Sequence, residues 1–120
     1  MGDRVYVVDG APETAACVSG LLASTDCLVD FYRTADALLQ TAADGPPGPI
    51  LLDVGAHGVA GLRRLREHGL FWPVIATAST ADTRLAAEAL RAGASDFIVK
   101  PFDGDELRKI VADLAVPAAG

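Results

Sequence analysis

Pro49-Ile50-Leu51-Leu52-Asp53-Val54-Gly55 is the stretch around which the rest of the chain arranges itself. Three apolar residues run without alternation into one carboxylate, and Gly55 and Gly58 follow, so the run reads as a short strand buried on both faces whose exit loop carries Asp53. An Asp at a strand exit commonly caps the next turn or helix. To build an acidic site instead, it needs a second carboxylate nearby. Val5-Tyr6-Val7-Val8-Asp9 supplies one, as another apolar run ending in Asp. In an open parallel sheet, ligands bind outside the carboxyl ends of the strands where the strand order reverses, and two strands that both end in Asp place both acids there.

Working outward, the chain alternates. After Asp9, Gly10-Ala11-Pro12 is a turn with Pro suited to a first helical position, and Ala15, Val18, Leu21 and Leu22 share one helical face. Cys27–Phe31 reads as a second strand; Thr34 then caps a helix whose inner face is Ala35, Leu38, Leu39 and Ala42. The segment 44–49 holds three prolines and cannot continue a helix, so it is a connector. Beyond Asp53, Leu62 and Leu65 support a short helix ending near Gly69, with Arg63, Arg64 and Arg66 read as its solvated face. Pro73–Thr77 is a fourth strand, followed by a helix over 82–93 with Ala86, Ala89, Leu90 and Gly93 on one face. Ser95–Lys100 is a fifth strand. In the last helix Asp103 and Glu106 have capping-box spacing, and Leu107, Ile110, Val111 and Leu114 keep a helical period. Five strands alternating with five helices predict a three-layer αβα fold around a parallel sheet, in the order 2-1-3-4-5, with Asp9 and Asp53 side by side at the reversal.

Composition narrows the function. A length of 120 residues suits one domain, taken as residues 1–116 with a small-residue tail at 117–120. The apolar fraction of 51% excludes disorder, and no run approaches the roughly 18 residues needed to span a bilayer. Without a basic n-region or a small-residue cleavage site near the start, the expected location is the cytoplasm, with no membrane partner. A net charge of −6 disfavours direct contact with the nucleic-acid backbone. Cys17 and Cys27 lack metal-ligand spacing and read as buried or half-buried thiols.

With Asp9, Asp53 and Gly93-Ala94-Ser95-Asp96-Phe97-Ile98-Val99-Lys100-Pro101-Phe102 in place, the chain resembles the receiver domains of bacterial two-component response regulators over nearly its whole length. The strand leading to Lys100-Pro101-Phe102, joined to an Asp at the end of strand three, is the specific part. The resemblance implies a flavodoxin-like fold and a signalling role without enzymatic output. It implies that Asp53 accepts a phosphoryl group from a histidine kinase or phosphotransfer protein, as one step of a phosphorelay. Lys100 and Mg²⁺ neutralise the charge spread over the equatorial oxygens, and Asp9, Asp53 and the Gly55 carbonyl are the implied metal ligands. An output domain or partner reads the state through the face of helix four, strand five and helix five, with Phe97 as the switch aromatic. A homodimer is compatible with the same reading.

Two positions depart from the family pattern. The second acid of strand one is replaced by Gly10, which predicts weak Mg²⁺ binding; Glu13 lies one turn further on, where it reads as a helix-dipole residue. The switch hydroxyl position falls on Ala78, between Thr77 and Ser79, whose side chains belong to the opposite face of the strand. His57 stands in the loop after Asp53 where the family commonly has Pro. These departures leave a second function open, a degenerate receiver acting as a phosphorylation-independent interaction module. A flavin or nucleotide enzyme on the same sheet is disfavoured, because no Gly-rich loop runs from strand one into a helix.

Overall fold

The computed structural model describes residues 3–116, so the tail expected at 117–120 lies outside the described residues. Its strands are β1 (Arg4–Val8), β2 (Leu28–Tyr32), β3 (Ile50–Asp53), β4 (Val74–Ala78) and β5 (Asp96–Val99). They alternate with α1 (Pro12–Leu21), α2 (Ala35–Thr41), α3 (Ala60–Glu67), α4 (Thr83–Arg91) and α5 (Gly104–Asp113). All pairings are parallel, in the order β2-β1-β3-β4-β5, so the predicted architecture and strand order both hold.

The uninterrupted apolar runs are explained by two-sided burial. Val5, Val7, Leu51, Ile75 and Ile98 pack on one face against Val18 and Leu22 of the α1 region and Leu107 and Val111 of α5. Tyr6, Val8, Ile50, Leu52, Val74 and Ala76 pack on the other face under α2, α3 and α4. Neighbouring residues of each central strand therefore serve different cores, and the strand interiors are apolar apart from Thr77, buried one residue before the end of β4.

Local signals account for the helix ends. Pro12 opens α1, Thr34 Oγ1 accepts the Ala37 amide at 3.1 Å, and Asp82 Oδ1 accepts the amides of Arg84 and Leu85. Gly69, at φ +79°, follows α3 in the left-handed region where a side chain would be strained. The proline-rich connector lies flat on β1. The Tyr6 hydroxyl donates to the Pro46 carbonyl, and a Cβ placed on Gly48 would fall 2.2 Å from the Arg4 carbonyl oxygen.

Several local expectations need correction. Strand β2 begins at Leu28 and runs to Tyr32, one residue later than expected. In α4 the inward stripe is Leu85, Ala86 and Ala89, while Leu90 is 49% exposed. Asp103 does cap α5, accepting the Asp105 amide at 2.9 Å, but no return bond from Glu106 is present among the described residues. Cys17 is exposed on α1 and Cys27 is half-buried. Arg66 is not solvated like its neighbours: it donates to the carbonyls of Leu70, Trp72 and Gly93 at 2.9–3.0 Å.

Candidate functional site

Strands β1 and β3 pair up to Val8 and Leu52, so the next residues along, Asp9 just past β1 and Asp53 as the last residue of β3, come to the same edge of the sheet. Asp9 is 4% exposed, an unusual position for a carboxylate, and it is tied on every side. Its Oδ2 accepts from Lys100 Nζ at 2.6 Å, its Oδ1 accepts the Ala11 amide at 2.8 Å, and its own amide donates to the Tyr32 carbonyl. Lys100 is carried in by the residue following β5, whose amide donates to the Ala78 carbonyl at 2.8 Å. Three strand ends thus place one ion pair at the edge of the sheet.

Asp53 is less constrained. It is half-buried, and its Oδ1 accepts the Gly55 amide at 2.9 Å in a local turn. That is the capping geometry open to any strand-exit Asp. What distinguishes this site is the cavity of about 570 Å³ that Asp53 shares with Asp9, Lys100 and Gly10. The cavity extends between the loops that precede α2 and α3, where Arg33, His57 and Arg64 also line it. Arg64 is already engaged, with Nε 2.6 Å from Asp36 Oδ1; this exposed pair holds the guanidinium pKa above its ordinary value.

Ala78 ends β4 against the turn after Asp53: its Cβ is 3.6 Å from the point where a Gly55 side chain would begin. The position expected for a hydroxyl therefore does lie beside the site. Thr77 is buried in the sheet and does not line the cavity, whereas Ser79 does, at the first residue beyond the strand. Strand alternation, which would turn Ser79 away from the face of Ala78, stops applying where the strand stops. Phe97 is half-buried against the core under α2, α3 and α4. Glu13 and Cys17 line a separate, small cavity with Phe102 and play no part in the larger one. His57 is exposed on the rim. Arg33, Arg64 and Ser79 are cavity residues that motif reading did not find; the signal available for Arg33 was its place directly after a strand that ends at the same edge.

The donors fit a divalent cation poorly. Both oxygens of Asp9 and one of Asp53 already accept hydrogen bonds, leaving Asp53 Oδ2 as the carboxylate oxygen without a partner. No group of three His, Cys, Asp or Glu side chains able to hold a metal occurs among the described residues. Mg²⁺ sites are ordinarily assembled from one or two carboxylates plus waters and phosphate oxygens, and here the carboxylate at position 10 is missing.

Comparison with known proteins places the whole chain in one family. A family profile described as the response regulator receiver domain matches residues 5–112. The regulatory protein AtoC of Escherichia coli is 32% identical over 112 residues, covering 91% of this chain and 24% of that protein. FixJ, a transcriptional regulatory protein of Azorhizobium caulinodans, is 34% identical over 102 residues, covering 82% of this chain and 48% of its own length. A response regulator from Thermotoga maritima superposes with a TM-score of 0.84 at 25% identity, covering 95% of this chain and 98% of that one. The receiver domain of NtrX from Brucella abortus does so at 0.81 and 27%, covering 92% and 96%. The chain spans about a quarter of AtoC and half of FixJ. Profile, sequence relatives and superposition agree on one assignment: this chain belongs to the response regulator receiver family.

Proposed function

We propose that the chain receives a phosphoryl group on Asp53, with residues 1–116 as the receiver unit. A histidine kinase or phosphotransfer protein is the donor. The carrying observation is that Asp53 has an unpartnered carboxylate oxygen in the same cavity as a lysine. In the transfer, Asp53 Oδ2 forms a bond to phosphorus while the bond from phosphorus to the donor breaks, its electron pair leaving with the donor. Lys100 offsets charge on the phosphoryl oxygens, and Asp9 holds that lysine in place at 2.6 Å. Mg²⁺ binding is weak, because Gly10 supplies no carboxylate.

The output proposed here is a partner or appended domain at the face of α4, β5 and α5, where Leu90 is exposed; the same face serves for any homodimer contact. Phe97 would relay the change, and Ala78, having no hydroxyl to follow the phosphoryl group, weakens that relay. The role is signalling rather than enzymatic, in the cytoplasm, and the net charge of −6 argues against direct nucleic-acid binding. A second reading, a phosphorylation-independent interaction module, is favoured by Gly10 and Ala78 together. Incubation with acetyl phosphate followed by intact mass measurement separates the two. The acceptor reading predicts one added phosphoryl group on the wild type and none on D53N. An unmodified wild type, or a D53N protein that is modified equally, would overturn it.

A further inference from the structure

The charges lining the large cavity pair off unevenly. Lys100 is matched to Asp9 and Arg64 to Asp36, each at 2.6 Å. What remains is Asp53, with one free oxygen, and Arg33, which makes no ion pair among the described residues. The polar contact Arg33 makes is from Nη1 to the Gly10 carbonyl at 3.5 Å, the outer limit of a hydrogen bond, so the guanidinium is close to the site without being committed. Its backbone, by contrast, is fixed. The preceding Tyr32 carbonyl accepts the Asp9 amide, and the following Thr34 caps α2. Space is available too: a Cβ on Gly10 would meet nothing within 4 Å.

We propose that Arg33 is the resident cation of the Asp53 cavity, binding a phosphate-type anion directly and so reducing the site's need for a divalent ion. The role of Arg33 on a phosphorylated Asp53 rests on the acceptor reading above; its affinity for a free anion does not. Arginine suits the task because its planar guanidinium presents parallel N–H donors that match two oxygens of a tetrahedral anion. Adding a phosphoryl group to Asp53 increases the negative charge facing Arg33, which draws the side chain inward from the Gly10 carbonyl. Gly10 and Arg33 are then linked: where an acidic side chain would recruit a metal, its absence leaves room and a carbonyl for the guanidinium.

Two measurements test this. Inorganic phosphate is titrated into the isotopically labelled chain in EDTA, following the Arg33 Nε–Hε resonance and the amides of Gly10 and Ala11. Saturable shifts are expected in the wild type, with affinity lowered roughly tenfold or more in R33Q, the loss of a charge-assisted hydrogen bond. R33K recovers only part, lacking the paired donors. In the second, Asp53 is modified by phosphoramidate across a Mg²⁺ series. Its Oδ2–P bond forms as the P–N bond breaks, and the electron pair leaves on nitrogen as ammonia from the N-protonated reagent. The wild type is expected to keep measurable modification in EDTA, whereas R33Q requires Mg²⁺. Equal phosphate affinity and an identical Mg²⁺ dependence in wild type and R33Q would overturn the inference while leaving Asp53 an acceptor. Arg33-dependent phosphate binding with no Asp53 modification in either protein would support the anion site and remove the acceptor reading. R33Q is checked for native unfolding behaviour, which its exposed side chain leads us to expect.

Discussion

Arg66 and Arg33 stand at opposite ends of the sheet and are used in opposite ways. Arg66, on α3, spends its donors on three carbonyls that precede β4 and β5, and burial pushes its guanidinium pKa down. Arg33, after β2, has a single marginal contact and lines the same cavity as an acid with a free oxygen. The difference teaches how to separate a structural cation from a functional one. A guanidinium whose N–H groups already satisfy backbone acceptors closes a loop, and one left uncommitted in a cavity is available to a ligand.

The comparison breaks most visibly in stability. R66Q is expected to lose about 2–4 kcal/mol in urea denaturation, because two part-buried carbonyls and an exposed one lose a charged donor. R33Q should stay within about 0.5 kcal/mol of wild type. Reversed values would mean that Arg33 is the structural residue. Next in size is A78T. A hydroxyl beside the Asp53 turn adds a charge-assisted hydrogen bond made only to the phosphoryl group, about 1.5–3 kcal/mol of bias and roughly a 10- to 150-fold shift between states. NMR shift changes across residues 78–102 on phosphorylation, small in the wild type and larger in A78T, are the expected pattern; large changes in the wild type would show that Ala78 does not limit switching. G10D is expected to tighten Mg²⁺ about 10- to 100-fold by calorimetry, or roughly 1.4–2.8 kcal/mol. Unchanged affinity would mean that position 10 is not at the metal. The smallest effect belongs to R64Q, which removes an exposed ion pair and is expected to leave the thermal unfolding midpoint essentially unchanged.

The layer order, the strand order and the meeting of Asp9 with Asp53 are legible in the sequence, because each depends on a pattern spanning many residues, whereas Lys100 is assigned to the site by the family resemblance alone. Two-sided burial makes apolar runs continuous, and crossover geometry then limits the topology. Single-residue outcomes were less legible. Arg63, Arg64 and Arg66 look alike in a helical repeat, yet only Arg66 meets carbonyls, and those come from segments that no local pattern brings to it. Leu90 has an apolar side chain at a plausible spacing, but a helix of nine residues rests on a narrow stripe set by Leu85, Ala86 and Ala89. Ser79 is hard to place from sequence because strand alternation holds only to the end of β4 at Ala78. Arg33 carried no motif at all; its significance comes from which charges remain unpaired once the others have found partners.

Gly48 has a bearing on how this domain would look to a geneticist. Any side chain there would run into the Arg4 carbonyl oxygen and carbon, both main-chain atoms of the central sheet, so the connector or β1 would have to give way. Every residue around Asp53 would still be encoded intact. A Gly48 allele would nevertheless score as a loss of signalling, through protein abundance and turnover rather than through chemistry. Immunoblots, read beside the fraction of surviving protein that is phosphorylated, would sort such alleles from true pocket mutants.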